Sequence, residues 1–578
     1  MALNFNNLNS LWASVIVETL ARLGLKSAII CPGSRSTPLT VALARHPDIE
    51  AIPILDERSA GFWALGLAKA SGLPTVLVCT SGTAGANFYP AVIEARYSYV
   101  PLMILTGDRP PELRQCASGQ TINQINLFGE FAQFFSEMAT PVASLAMFQY
   151  ARQTMVQAWR SALFPQRGVV HLNCPFRDPL PPNILDDSVN FLRDKIYPVT
   201  FFQNITVPIP SQLVPSHLPI DQWQGKKGII IAGVDQPDNP ESYTQAIGIL
   251  SKTLGYPVLA EALSPLRNFA DFELITTYDF ILRNAEKAQA LLPEVVIQIG
   301  SLPTSKTLRA WLQKHQIPTW VISPNPDNLD PLHRPTQILS TSIERVSQIL
   351  LNSEKTQTDY AQKWQFYQQQ TAMAIAEAFR DEPNFVEAKV ARLLSQYLPK
   401  QSSIFFANSM TVRYAEFFWQ QNERQIQPYF NRGANGIDGT LSTAIALAHS
   451  NDKPCVLLTG DLALLHDTNG FLTISQCRGS LTIIVVNNNG GGIFNMLQIA
   501  TVDDVFEDYF VTPQTPSLEK IAATYRVTYK VITDETDFVS VVSNLPKQGI
   551  QLIEIPGDRQ RDTQWLKSLF QSFQTAES

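Results

Sequence analysis

The sequence predicts an α/β protein of three doubly wound parallel-sheet domains. Three observations carry that prediction: short β-branched runs alternate with longer stretches of helical period, polar Gly/Ser/Thr/Asp loops follow the runs, and two compositional breaks interrupt the alternation. At 578 residues the chain exceeds what one hydrophobic core organises. Its 45% hydrophobic and 16% charged residues are those of an ordinary globular protein, neither disordered nor fibrous.

In the first region, 1–180, strands are expected at 27–31, 75–79, 101–105 and 169–172. Strands alternating with helices demand crossovers that cover both sheet faces, so ligands belong at the carboxyl ends, where the polar loops fall. Residues 181–220 are thick with proline, Pro181, Pro182, Pro208, Pro210, Pro215 and Pro219 among them, and read as an extended linker. A central α/β domain follows over 221–352, with strands at 228–233, 257–260, 295–300 and 318–323. The Gln-rich stretch within 353–380 reads as a helical linker. The last domain, 381–578, has strands at 403–407, 454–459, 481–486 and 551–555.

Composition excludes several function classes. A net charge of −7 with no dense basic stretch makes nucleic acid an unexpected partner. The polar start, 1–9, lacks the basic-then-apolar order of a signal peptide, and no apolar run approaches the ~20 residues of a membrane span. The six cysteines lie far apart without a C-x-x-C pair, as in a reduced, cytoplasmic protein.

Two loops of the last domain belong together. The run 454–459 ends in Gly460-Asp461, and the run 481–486 ends in Asn487-Asn488-Asn489-Gly490-Gly491-Gly492. From Asp461 to Asn488 is 488 − 461 = 27 positions, enough for one helical crossover between neighbouring parallel strands. Mg²⁺ takes hard oxygen ligands and shares its shell with phosphates. The Asp461 carboxylate, the Asn488 amide oxygen and a backbone carbonyl at Gly490 would supply three ligands, while Gly460 lets the backbone approach a diphosphate. Each half alone is a common turn; the pair, each after a buried run, points to a metal–diphosphate clamp.

This Gly-Asp…Asn-Asn pattern is similar to the signature of thiamine-diphosphate enzymes, which implies that cofactor with Mg²⁺, or Mn²⁺ in its place. The resemblance also implies a glutamate that hydrogen-bonds the aminopyrimidine ring and promotes cofactor deprotonation. In Ile52-Pro53-Ile54-Leu55-Asp56-Glu57-Arg58 a strand gives way to a helix, offering Asp56 or Glu57 by position, and the family pattern favours Glu57.

Further motifs narrow the resemblance. Cys31-Pro32-Gly33-Ser34-Arg35-Ser36-Thr37-Pro38-Leu39-Thr40, Ser81-Gly82-Thr83-Ala84, Thr106-Gly107-Asp108-Arg109-Pro110, Asn408-Ser409-Met410-Thr411-Val412-Arg413 and Asn431-Arg432-Gly433-Ala434-Asn435-Gly436-Ile437-Asp438-Gly439 resemble those of the 2-succinyl-5-enolpyruvyl-6-hydroxy-3-cyclohexene-1-carboxylate synthases. The resemblance covers both outer domains well and the middle one thinly. It implies decarboxylation of 2-oxoglutarate and 1,4-addition of the resulting succinyl carbanion to isochorismate, within menaquinone or phylloquinone biosynthesis.

Both substrates are dianions, so planar guanidinium forks are the expected binding groups. By resemblance, Arg413 and Ser409 serve the 2-oxoglutarate-derived part, Arg35, Arg109 and Gln120 hold isochorismate, and Arg432 contacts substrate or intermediate. Glu57, Arg35, Gln120, Ser409 and Arg413 form the catalytic set. Ser81, Gly82, Ile437, Gly460, Leu462, Ile493, Phe494 and Leu497 join Glu57, Asp461, Asn488 and Gly490 around the cofactor, Ile437 as an apolar wedge and Ile493, Phe494 and Leu497 as an apolar wall. The family also implies a homodimer or homotetramer, since its cofactor lies between two domains. Two departures stand out: Ser118-Gly119 precedes Gln120 where an amide residue is usual, and Thr307 follows Lys306 where some members have arginine, leaving Lys306 the weakest substrate-binding candidate.

Overall fold

The computed structural model describes residues 3–208, 218–351, 356 and 358–574. Parts of both expected linkers, 209–217 in the first and 353–355 with 357 in the second, lie outside the described residues, as do the ends of the two outer domains at 1–2 and 575–578.

Three all-parallel sheets carry the chain. The first has the order β2-β1-β3-β4-β6-β5, built from β1 (Ser27–Ile30), β2 (Glu50–Pro53), β3 (Thr75–Cys79), β4 (Leu102–Asp108), β5 (Ala132–Glu137) and β6 (Val169–Pro175). The second, β11-β10-β9-β7-β8, comprises β7 (Gly228–Ala232), β8 (Val258–Ala260), β9 (Val295–Ile299), β10 (Thr319–Ser323) and β11 (Thr336–Ser340). The third, β13-β12-β14-β15-β17-β16, comprises β12 (Ser403–Phe406), β13 (Gln427–Phe430), β14 (Cys455–Gly460), β15 (Ser480–Asn487), β16 (Thr528–Val531) and β17 (Gly549–Pro556). The expected fold class is the observed one. Central strands such as β3 are buried along their whole length, because helices cover both faces.

Four strands were absent from the expected set, β5, β11, β13 and β16, each at a sheet edge as is β2, the strand expected before Glu57. Their side chains are only partly buried, so the apolar run that marks a central strand is missing. The proline-rich stretch is also more folded than an extended linker. Up to residue 208 it contains a 3-10 turn at Asp187–Leu192 and a helical turn at Pro198–Phe201. Val189, Leu192, Ile196, Phe201 and Phe202 join the core of the first sheet there. Those apolar residues, spaced between the prolines, override the extended preference.

The chain forms two compact units. One comprises Met1–Ser211, Asn431–Asp452 and His466–Arg478; the other comprises Gln212–Phe430, Lys453–Leu465 and Gly479–Ser578. In the first unit the helix Glu57–Ser71 packs on the helix Thr440–His449 so closely that a Cβ on Gly66 would stand 2.6 Å from the Thr443 carbonyl oxygen. The Trp63 indole N–H donates to Thr473 Oγ1 at 3.0 Å in the same interface. In the second unit Arg267, fully buried, donates to the carbonyls of Glu416 and Trp419 at 2.9 Å each and meets the Glu416 carboxylate at 3.1 Å. A buried guanidinium is tolerable only when paired and bonded in this way. No helix of the described residues is long and apolar enough to cross a membrane.

Candidate active site

In the second unit the two clamp loops leave adjacent strands. β14 and β15 pair in parallel with Gly460 opposite Val486, so Asp461 and Asn487-Asn488 emerge side by side. Asp461 starts the helix Asp461–His466, and its carboxylate accepts the Gly490 N–H at 2.8 Å. Burial pushes its pKa up to about 6, against the backbone hydrogen bonds from Leu462 and Gly490. Gly490 has φ +135°, and a Cβ there would lie 2.5 Å from Val511 Cγ1, so only glycine fits.

The residues present fit a hard cation. Asn488 is 9% exposed, and its Oδ1 is buried with no hydrogen-bond partner among the described residues, while its Nδ2 donates to Glu387 Oε1 at 2.5 Å. A buried amide oxygen left unbonded is costly unless something else ligates it. Gly460 adds a second sign, since a Cβ there would meet nothing within 4 Å. Protein packing therefore does not require that glycine; a group approaching the backbone would.

Ser409 and Arg413 follow the neighbouring strand, β12, which pairs with β14. Ser409 has φ 71°, ψ −131°, a backbone conformation that L-residues rarely adopt, and it begins the helix Met410–Phe418. The Arg413 guanidinium donates to the Ser409 carbonyl, tying helix to loop. Strain of this kind persists where the surroundings over-determine it, as at binding sites. Ile493 and Phe494 lie on the 3-10 turn Gly492–Met496, which Leu497 caps; all three are half-buried, and Phe494 stacks edge-on with Phe510 at 5.6 Å. Lys306, exposed at the start of the helix Lys306–His315, has no hydrogen bond or ion pair to these residues among those described.

The first unit gathers a different set at the carboxyl ends of β1, β3 and β4. Arg109 reaches Ser81 Oγ at 3.4 Å and the Gly119 carbonyl at 3.1 Å; Gln120 donates to the Ser81 carbonyl at 3.1 Å. Gly82, with φ +91°, lets Gln120 pack against it where a Cβ would stand 2.9 Å from Gln120 Cγ. Arg35 donates to the Phe176 carbonyl at 2.8 Å, and its Nε is buried without a partner among the described residues. Burial first, and the Arg109 guanidinium second, hold the Arg35 pKa below its usual range. Arg35 also pairs with Asp178 at 3.6 Å; two guanidinium groups brought together, one with a buried Nε to spare, have the chemistry to hold an anion.

Glu57 follows β2 at the first turn of its helix. Asp56 is the N-cap: its carboxylate accepts from Arg58 N at 3.0 Å, Ser59 Oγ at 3.3 Å and Asn469 Nδ2 at 2.7 Å. That leaves Glu57, half-buried, as the acid not engaged in capping. The loop carrying Arg432 and Ile437 belongs to this unit too. Glu94, buried on the helix Tyr89–Tyr97, accepts from Gly433 N at 2.9 Å and Ala434 N at 2.7 Å. Thr440 Oγ1 closes the loop on the Ile437 carbonyl at 2.8 Å.

Supporting residues escaped the sequence reading. Gln124 accepts from Gly82 N at 2.9 Å and donates to the Gly107 carbonyl and Asn173 Oδ1, bracing the Ser81 and Arg109 loops. Glu94 and Glu387 were also missed. The one available signal was an isolated acid on a helix face that is otherwise apolar, as Glu94 is in Ala91-Val92-Ile93-Glu94-Ala95.

Fold and site together define a thiamine-diphosphate enzyme. The first sheet matches the model described as thiamine pyrophosphate enzyme, N-terminal TPP binding domain, over 12–127; the middle domain of thiamine pyrophosphate matches over 203–406, and the C-terminal TPP binding domain over 408–555, thiamine pyrophosphate being the same cofactor. Within that class, the chain belongs to the 2-succinyl-5-enolpyruvyl-6-hydroxy-3-cyclohexene-1-carboxylate synthase family. A relative of that name from Microcystis aeruginosa is 54% identical over 98% of this chain and 100% of its own length. Another from Gloeothece citriformis is 52% identical over 99% and 100%, and one from Trichodesmium erythraeum is 47% identical over 98% of each chain.

Proposed function

We propose that the chain decarboxylates 2-oxoglutarate and adds the resulting succinyl unit to isochorismate by 1,4-addition, forming 2-succinyl-5-enolpyruvyl-6-hydroxy-3-cyclohexene-1-carboxylate and CO₂ on the way to menaquinone or phylloquinone. The observation that carries this reading is the pair of guanidinium groups at Arg35 and Arg109, where burial first and the Arg109 charge second depress the Arg35 pKa and one buried donor has no partner among the described residues. Dianionic substrates are the ligands such a site suits.

Thiamine diphosphate, when bound, supplies the carbon nucleophile and the electron sink for loss of CO₂. The residues do the rest. Glu57 would hydrogen-bond the aminopyrimidine and support its proton transfer, since Asp56 is the cap. Asp461, Asn488 and the Gly490 carbonyl hold Mg²⁺, or Mn²⁺, on the diphosphate, beside Gly460 and Leu462. Ser81, Gly82 and Ile437 support the organic part, and Ile493, Phe494 and Leu497 keep water from it. Ser409 and Arg413 bind the 2-oxoglutarate carboxylates; Arg35, Arg109 and Gln120 bind isochorismate, with Arg432 and Lys306 as further contacts. A cytoplasmic homodimer or homotetramer completes this reading, and light scattering of the purified protein tests that assembly.

The decisive assay mixes the protein with 2-oxoglutarate, isochorismate, thiamine diphosphate and Mg²⁺. Isochorismate is expected to disappear in step with CO₂ release. Retention of isochorismate by protein that has bound the cofactor would overturn the assignment.

A further inference from the structure

An asparagine amide can face a cation either way, since its oxygen and nitrogen occupy nearly the same volume. Only the oxygen is a ligand. Something must therefore decide which end of Asn488 meets the metal position. From the geometry around Asn488 we infer that Glu387 is a positioning residue: its carboxylate draws the Asn488 nitrogen to itself and so presents Oδ1 to the divalent cation. This inference rests on the reading of Asp461, Asn488 and Gly490 as a metal clamp.

The contacts are specific. Glu387 Oε1 accepts from Asn488 Nδ2 at 2.5 Å, and Oδ1 at the other end of the amide has no partner among the described residues. Oε1 is the accepting oxygen of this contact, so the flipped amide would set oxygen against oxygen. Glu387 is itself held. It opens the helix Glu387–Tyr397, and its backbone N–H donates to Asp562 Oδ2 at 3.1 Å, from the helix Arg559–Ser572. Gly557 closes the third side: its N–H donates to the Asn487 carbonyl at 2.8 Å, and a Cβ there would stand 3.2 Å from Asn488 Cβ and 3.3 Å from Glu387 Oε1. Two segments distant in sequence, at 387 and at 557–562, thus meet at one amide. Asp461, Glu387 and Asp562 are 4%, 7% and 2% exposed, a concentration of buried carboxylates that a divalent cation would relieve. Partners behind a metal ligand orient it and tune its affinity.

The test titrates Mg²⁺ calorimetrically into full-length, chelator-stripped protein saturated with thiamine diphosphate. Glu387→Ala is expected to weaken Mg²⁺ binding about 10–100-fold. Glu387→Gln, whose carbonyl oxygen still accepts, should stay within about threefold of the parent. Thermal midpoints measured in chelator separate this from simple loss of packing, which would lower the midpoint and leave Mg²⁺ binding unmoved. If the alanine protein does not fold, Glu387→Met fills the same volume without an acceptor and takes its place. Mg²⁺ binding within about twofold of the parent in the acceptor-less variant overturns the inference, as does a glutamine variant as weak as alanine. Asn488→Ala is the control: unchanged Mg²⁺ binding in it would sink the clamp reading itself rather than the role of Glu387.

Discussion

The Glu94 carboxylate holds the backbone of Gly433, 339 residues away in sequence, at 2.9 Å, and takes the next N–H, that of Ala434, with its other oxygen. One buried side chain thereby fixes the turn that presents Arg432. Glu94→Ala leaves two N–H groups without their acceptor, at a cost of about 1–3 kcal/mol each if they stay buried. The expected result is a substrate KM raised about tenfold with kcat lowered less, because a loosened loop weakens binding before it alters chemistry. Steady-state kinetics on both substrates measure this, and an unchanged KM would mean that Arg432 does not contact substrate.

Asp56 and Glu57 are adjacent acids with separable jobs. Asp56→Ala removes the N-cap and should cost about 1 kcal/mol of stability. Glu57→Gln removes no cap; it should lower kcat by about 10²–10⁴-fold, the usual scale for proton-transfer groups, with the thermal midpoint kept. If the two variants exchange these phenotypes, Asp56 is the functional acid.

Two glycines of the clamp should respond in opposite ways. Gly460→Ala places its methyl in open space, so the protein should fold as before and bind thiamine diphosphate more weakly. Gly490→Ala forces a positive φ on alanine and a methyl to 2.6 Å from the Val511 carbonyl oxygen, so its thermal midpoint should fall even without cofactor. Unfolding scans and cofactor titrations on both proteins distinguish the two effects.

His171 provides a pH prediction. Thr106 Oγ1 donates its only proton to Asn173 Oδ1 at 2.8 Å, so it accepts from His171 Nε2 at 2.9 Å, and the ring is neutral. Burial pushes its pKa down to about 3 from 6.5. The unfolded chain therefore binds a proton below pH 6.5 that the folded chain refuses until about pH 3. Stability from this group is complete above 6.5 and falls as pH drops towards 3, by about 2 kcal/mol between pH 6.5 and 5. His171→Gln should shrink the loss of urea resistance between pH 7 and pH 5 by about that amount. An equal loss in both proteins would refute the assignment of the acid sensitivity to His171.

The central strands were legible because burial on both faces writes a continuous apolar run, as in Val76-Leu77-Val78-Cys79 and Ile483-Ile484-Val485-Val486. Edge strands such as β16, Thr-Tyr-Lys-Val, carry no such run, since they pair with one neighbour and meet water. The site was legible where function dictates residue type locally: Gly460-Asp461, Asn488 and the arginine-bearing loops. It was not legible where the partner comes from far along the chain. Nothing in the sequence near Asn488 points to Glu387, 101 residues earlier, and nothing near Arg432 points to Glu94.

The make-up of the first compact unit has a consequence for biosynthesis. Phe62, Trp63 and Gly66 pack against Gly439, Thr473 and Thr443, yet 438 − 66 = 372 residues, 67–438, are made between the two sets. At ribosomal rates of about 5–20 residues per second, the apolar back of the helix Glu57–Ser71 waits roughly 20–75 s for its cover. During that interval a nascent chain exposes a tryptophan and a phenylalanine that the finished protein hides, so this helix is where a chaperone would be needed during translation and where slowed elongation would favour aggregation.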